Sequence, residues 1–286
     1  AASVPLAKVR LDGPPQAPLR LLIAGDSTAL TLGLDLDQPP VPADYLVQIQ
    51  DQATLGCGVV VSYRLLDHDQ ALRPPEECNS ASSASELWPA RLAQAVQQIR
   101  PQLVLVAAGR WETMDRQARP SGPWLNITDR ADYDYVVSQL ELAVRVASAE
   151  GAKVALATAP CFDSGEQPDG RPWPEDSPAR LRAYDQAVRQ AAQALPTEAF
   201  VVDLGGMVCP GGRYAQSVDG LTLRAPDGVH YPFFSLAHPD SADPDTQAQA
   251  GAFGRWIAPR LFGALRAGLA KALATPRTAP ALRSPP

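Results

Sequence analysis

Leu21-Leu22-Ile23-Ala24-Gly25-Asp26-Ser27-Thr28-Ala29-Leu30 runs an apolar segment into Gly-Asp-Ser and then into residues able to start a helix. The continuous apolar run from Leu19 to Ala24 is the pattern of a strand covered on both faces, as in a parallel sheet. Gly25 permits a sharp turn, and a helix beginning at Ser27 would aim backbone N–H groups and a positive dipole end at any anion formed beside the serine. Ser27 is therefore placed to be a nucleophile. Gly-Asp-Ser alone fits a simple turn equally well, so the partners of Ser27 must be sought elsewhere in the chain.

Working outward, four more strands are expected at Tyr45–Ile49, Leu103–Ala108, Val154–Thr158 and Phe200–Leu204. Helices fall between them. Leu92, Val96 and Ile99 follow Pro89 at helical spacing, and Leu140, Val144 and Ala147 line one face of a helix from about Ala131 that Thr128 can cap and Gly151 stops. Ser177-Pro178 opens a third helix running to Leu195, and a last one spans about Thr246 to Leu273. Residues 67–85 read as a polar loop rich in proline and serine, and Cys209 to Tyr231 as irregular or hairpin-like. Alternating strands and helices imply a three-layer α/β/α sandwich around a five-stranded, mainly parallel, doubly wound sheet with flavodoxin-like order. In such a sheet the site lies at the carboxyl ends of the strands. Ser27, Gly56, the segment Gly109 to Glu112, Cys161 and Cys209 each follow a strand.

Of the 286 residues 45% are hydrophobic, enough for a sizeable core. The net charge of −6 opposes binding to nucleic acid or to anionic membranes. No run approaches the ~18 apolar residues of a membrane span. Because the first residue is Ala1, the chain is expected to be an excised domain or a processed product. Residues 1–18 read as a linker or surface strap, 19–273 as the catalytic domain and 274–286 as a disordered proline-rich tail. The four cysteines have no CxxC spacing, so a metal site is not expected. With strand order 2-1-3-4-5, Cys161 and Cys209 come within bridging reach and Cys57 and Cys78 close the polar loop. Two disulfides and an oxidising compartment follow; the alternative is four buried thiols.

A base for Ser27 is offered by Asp227-Gly228-Val229-His230, where the Asp can reach back across a glycine turn to Nδ1 and leave Nε2 to face a serine. The chain order is Ser…Asp…His. An α/β-hydrolase shares that order but needs Gly-x-Ser-x-Gly, and Ala29 stands at the last glycine. Gly25-Asp26-Ser27, a glycine after the second strand, a glycine-led segment after the third and Asp-x-x-His near the end instead resemble the blocks of the SGNH (GDSL-type) hydrolases and acyltransferases, over Leu19 to about Leu273. The resemblance implies Ser27 as nucleophile, His230 as general base, Asp227 as its orienter, and the N–H groups of Ser27 and Gly56 as oxyanion donors. It also implies Gly-x-Asn-Asp in the third block, with the Asn as a further donor. This chain has Gly109-Arg110-Trp111-Glu112. Either Arg110 or the Trp111 indole N–H replaces the Asn, or the hole works with two donors; packing for Trp111 and a surface guanidinium for Arg110 are the plain alternatives.

These features, with the alanine- and arginine-rich composition and the expected disulfides, further resemble the extracytoplasmic SGNH domains fused behind membrane acyltransferase-3 modules in actinobacteria such as mycobacteria. That implies an O-acyltransferase, moving an acyl (acetyl) group through a Ser27 ester to a hydroxyl of an envelope glycan or glycolipid, without cofactor. The donor would come from the membrane module of the same parent chain, on the extracytoplasmic side of the membrane. A stand-alone carbohydrate esterase and a catalytically silent binding domain are the competing expectations. Asp163 and Trp173, in the long loop after the fourth strand, are candidates for a wall of the acceptor cleft. Asp26 is a weaker substrate candidate, better suited to capping the helix or bracing the turn. His68, in Asp67-His68-Asp69, reads as a solvated loop histidine rather than a metal ligand, and His238 as structural.

Overall fold

A computed structural model of the chain describes residues 17–233 and 243–274. The elements follow in the order β1 (Leu19–Gly25), α1 (Ser27–Leu36), α2 (Val41–Tyr45), β2 (Val47–Asp51), β3 (Arg64–Asp67), β4 (Gln70–Leu72), α3 (Trp88–Ile99), β5 (Leu103–Ala107), β6 (Asp115–Gln117), α4 (Arg130–Ser148), β7 (Lys153–Ala157), α5 (Pro178–Ala194), β8 (Ala199–Val202), α6 (Leu204–Val208), β9 (Ser217–Val218), β10 (Leu221–Thr222) and α7 (Pro244–Ala274). The main sheet has the order β2-β1-β5-β7-β8 with every pair parallel, as the apolar runs predict. Nearly all of the strap and tail, and His238, lie outside the described residues.

Both faces of the sheet are covered, which is why its strands are apolar without alternation. Leu22, Ala24, Val104, Val106, Val154 and Leu156 face one core with α3, α4 and α5. Leu21, Ile23, Leu103, Leu105, Ala155 and Ala157 face the other, against α1 and α7. The disulfides join Cys57 to Cys78 and Cys161 to Cys209, the expected pairs.

Local differences have physical reasons. The second strand begins at Val47 because Tyr45 closes the short α2, after which Leu46 turns left-handed at φ 48°. Leu204 belongs to α6 and not to the fifth strand. The cap of α4 is Asp129; Thr128 instead gives its N–H and hydroxyl to Asn126 Oδ1. At the start of the stretch read as a loop, β4 pairs with β3, just before it, as a hairpin, and β6 completes a small antiparallel sheet, β4-β3-β6. Residues 209–231 contain the two-residue ladder of β9 and β10.

Candidate active site

Strand β1 delivers Ser27 to the carboxyl edge of the sheet as the first residue of α1. Gly25 has φ +139°, and a Cβ there would lie 1.7 Å from the Ala107 carbonyl oxygen at the end of β5. Only glycine lets the two strand ends approach so closely. Asp26 is fully buried. Its Oδ1 accepts from the Thr28 N–H at 2.8 Å and the Thr28 hydroxyl at 2.6 Å, and its Oδ2 accepts from the Arg110 N–H at 3.3 Å. Burial pushes its carboxyl above the ordinary range against these hydrogen bonds. Asp26 is thus the cap and brace of the turn, the role the sequence favoured, and its burial opposes the weaker reading as a substrate contact.

Asp227 and His230 come together through one tight turn. Asp227 Oδ1 accepts from the N–H groups of Val229 at 2.9 Å and His230 at 3.0 Å, while Oδ2 lies 2.6 Å from His230 Nδ1. Burial alone would raise the Asp227 carboxyl, but the hydrogen bond and charge of His230 hold it below the usual carboxylate range. Gly228 has φ +72°, and a Cβ would lie 1.7 Å from the Asp163 carbonyl oxygen, so the loop after β7 packs on this turn. The turn is also tied to the helix that bears Ser27, since the Tyr231 N–H donates to Thr31 Oγ1 at 3.2 Å. Ser27, Asp227 and His230 line one depression of about 340 Å³, together with Arg110, Trp111 and His68.

The remaining candidates have distinct placements. Gly56, at φ +74°, sits beside Trp111, whose Cζ2 would be 3.7 Å from an added Cβ. The Trp111 indole Nε1 is buried and has no hydrogen-bond partner among the described residues. Arg110 is 4% exposed, which overturns the surface reading. Its guanidinium reaches Asp176 at 2.5 Å, Ser164 Oγ at 3.1 Å and Asp67 at 3.3 Å. Those partners commit it to tying its own turn to the β3–β4 hairpin and to the loop after β7, which leaves the indole N–H of Trp111 as the unengaged candidate donor beside Gly56. Asp163 touches the Asp227 turn through its backbone, and the residue lines a separate groove of about 590 Å³ together with Cys161 and Cys209. The Trp173 ring packs on the His68 ring, tilted by 31° with centroids 4.6 Å apart, so His68 is packed and not simply solvated. Oxygens of Asp67 and Glu175 cluster with His68 in the manner of metal ligands, but Arg110 Nη2 lies 3.3 Å and 3.7 Å from the two carboxylates and already supplies the positive charge.

Three residues of this site were missed in the sequence. Glu112 is fully buried, and its Oε1 accepts from the Val59 N–H at 2.7 Å. Burial, and after it the charge of Asp26, pushes its carboxyl up to about 7. Ser164 and Asp176 are bound to each other and to Arg110. No local pattern marks either of them, because their partners lie far away in the chain.

No protein-family model matches the chain, and no curated protein is similar to it in sequence. Solved structures do resemble it. The periplasmic domain of the lipopolysaccharide acetyltransferase of Salmonella ser. Paratyphi A is 10% identical with a TM-score of 0.50, covering 86% of this chain and 84% of that one. A protein of Bacteroides fragilis assigned as an acylhydrolase is 15% identical with a TM-score of 0.46, covering 89% and 92%. A GDSL-like lipase of Bacteroides thetaiotaomicron is 15% identical with a TM-score of 0.42, covering 85% and 91%. At 10% identity the likeness to the acetyltransferase domain, which extends across most of both chains, is one of fold.

Proposed function

We propose that the chain is a serine-dependent O-acyltransferase domain acting on hydroxyls of a cell-envelope glycan or glycolipid. One observation carries this reading: Ser27 shares its depression with His230, whose Nδ1 is held at 2.6 Å by the carboxylate of Asp227. Ser27 Oγ attacks the acyl carbonyl as His230 Nε2 takes its proton, and Asp227 fixes the tautomer and stabilises the imidazolium that forms. The backbone N–H groups of Ser27 and Gly56 and the indole N–H of Trp111 stabilise the oxyanion. The leaving group receives the proton from His230. An acceptor hydroxyl then repeats the sequence on the Ser27 ester, releasing the acylated product and the free serine.

The two disulfides support a place outside the cytoplasm, since such bridges persist in oxidising compartments. No helix among the described residues is long and apolar enough to cross a membrane. We assign the supply of acyl groups to a membrane acyltransferase module of the same parent chain. His230→Ala should lower acylation of the protein by an activated acetyl ester by at least ~100-fold, the lower end for a positioned general base. Stopped-flow release of the leaving group measures it; a near-native rate contradicts the role of His230.

A further inference from the structure

The hairpin of β3 and β4 carries a second histidine into the catalytic depression. Its two turn residues, His68 and Asp69, both have positive φ, 50° and 58°. That is the geometry of a tight hairpin turn normally occupied by Asn-Gly or Gly-Gly, so two side chains are held where glycine would relieve the backbone. The residue is fixed at both its backbone and its ring. The His68 backbone N–H donates to Glu175 Oε1 at 3.0 Å, and the ring Nε2 lies 2.9 Å from Ser164 Oγ. Trp173 covers one face of the ring, and Arg110 ties the neighbouring Asp67 to Asp176. Although the side chains of Glu175 and Arg110 are almost fully buried, that of His68 keeps 36% of its surface open. Its Nδ1 makes no hydrogen bond among the described residues.

A rigid imidazole whose Nδ1 has no hydrogen-bond partner among the described residues therefore lines the same depression as Ser27 and His230, and the serine chemistry does not use it. Resting on the serine-acyl reading above, we propose that His68 is an acceptor-binding residue that hydrogen-bonds, through Nδ1, a hydroxyl neighbouring the one that attacks the Ser27 ester. In that step the bond from the acceptor oxygen to the acyl carbon forms and the bond from Ser27 Oγ to that carbon breaks. The acceptor proton passes to His230 and then to Ser27 Oγ, and His68 undergoes no net change. Water and monohydric alcohols have no second hydroxyl for His68 to hold. The residue thus selects polyhydroxy acceptors, saccharides among them, over water.

The test is a competition with p-nitrophenyl acetate as donor and methyl α-D-glucopyranoside and methanol as acceptors, comparing the native chain with His68→Ala and His68→Gln. The native chain should transfer to the glucoside. In His68→Ala the ratio of glucoside to methanol transfer should fall about tenfold, the worth of one hydrogen bond, through a raised KM for the glucoside. His68→Gln, which keeps a hydrogen-bonding side chain, should recover part of that ratio, whereas a general loosening of the fold would lower both transfers together. An acyl adduct on Ser27 with an unchanged ratio, or with no transfer to the glucoside by the native chain, overturns the assignment of His68 alone. Absence of any Ser27 adduct overturns the serine reading, and this proposal with it.

Discussion

Trp111 holds an indole N–H that is buried without an acceptor among the described residues, at a cost of ~1–3 kcal/mol for an unmade hydrogen bond. It lines the depression of Ser27 and sits against Gly56, so that in the mechanism proposed above the developing oxyanion accepts from it. Arg110, the other candidate for this task, is engaged by Asp67, Ser164 and Asp176. Trp111→Phe keeps the ring and removes only the N–H. Acylation of Ser27 by an activated ester should then fall on the order of 10²-fold, the range for one oxyanion donor, with little change in melting temperature. A native rate in this variant would mean that two backbone donors suffice.

The turn after β5 is the element that links the parts of the site. Through Arg110 N–H it holds Asp26 and hence the start of α1, and through Glu112 it holds Val59, in the segment that follows Gly56. Because the Glu112 carboxyl is raised from 4.5 to about 7, the folded state binds its proton more tightly than the unfolded state does. The resulting stabilisation is present below the ordinary glutamate range and is lost as pH rises through about 7. Asp51 is likewise pushed up to about 7 and Asp185 to about 6, both chiefly by burial, so the native protein should lose stability in steps over this range. Glu112→Gln keeps an acceptor for Val59 and does not titrate. Urea unfolding at a series of pH values should show a shallower decline in the variant; parallel curves would contradict the burial of a titrating Glu112. The hairpin that presents His68 is the element hardest to see in the sequence. Arg64-Leu65-Leu66-Asp67 is too short for a period, it lies among prolines and serines, and its turn lacks the Gly or Asn that marks such turns.

Across the whole molecule, the sheet was legible because burial on both faces makes each strand an apolar run, and its order brings the strand ends together on one edge. The placement of Ser27, Asp227 and His230 around one depression was legible for a related reason: a Gly-Asp-Ser turn and an Asp-x-x-His turn are each local. Arg110 and Asp176 were not, being 66 residues apart and joined only by the way three loops fold over the depression. The capping and bracing role of Asp26 was legible because it is local, but its bond from the Arg110 N–H was not, since that bond spans distant segments. The central claim is that this edge makes Ser27 a nucleophile. Intact-mass analysis after treatment with a serine-directed phosphonate tests it most directly. One adduct on the native chain, mapped to Ser27 and absent in Ser27→Ala, is the predicted result; no adduct on the native chain, or one that persists in Ser27→Ala, would contradict it.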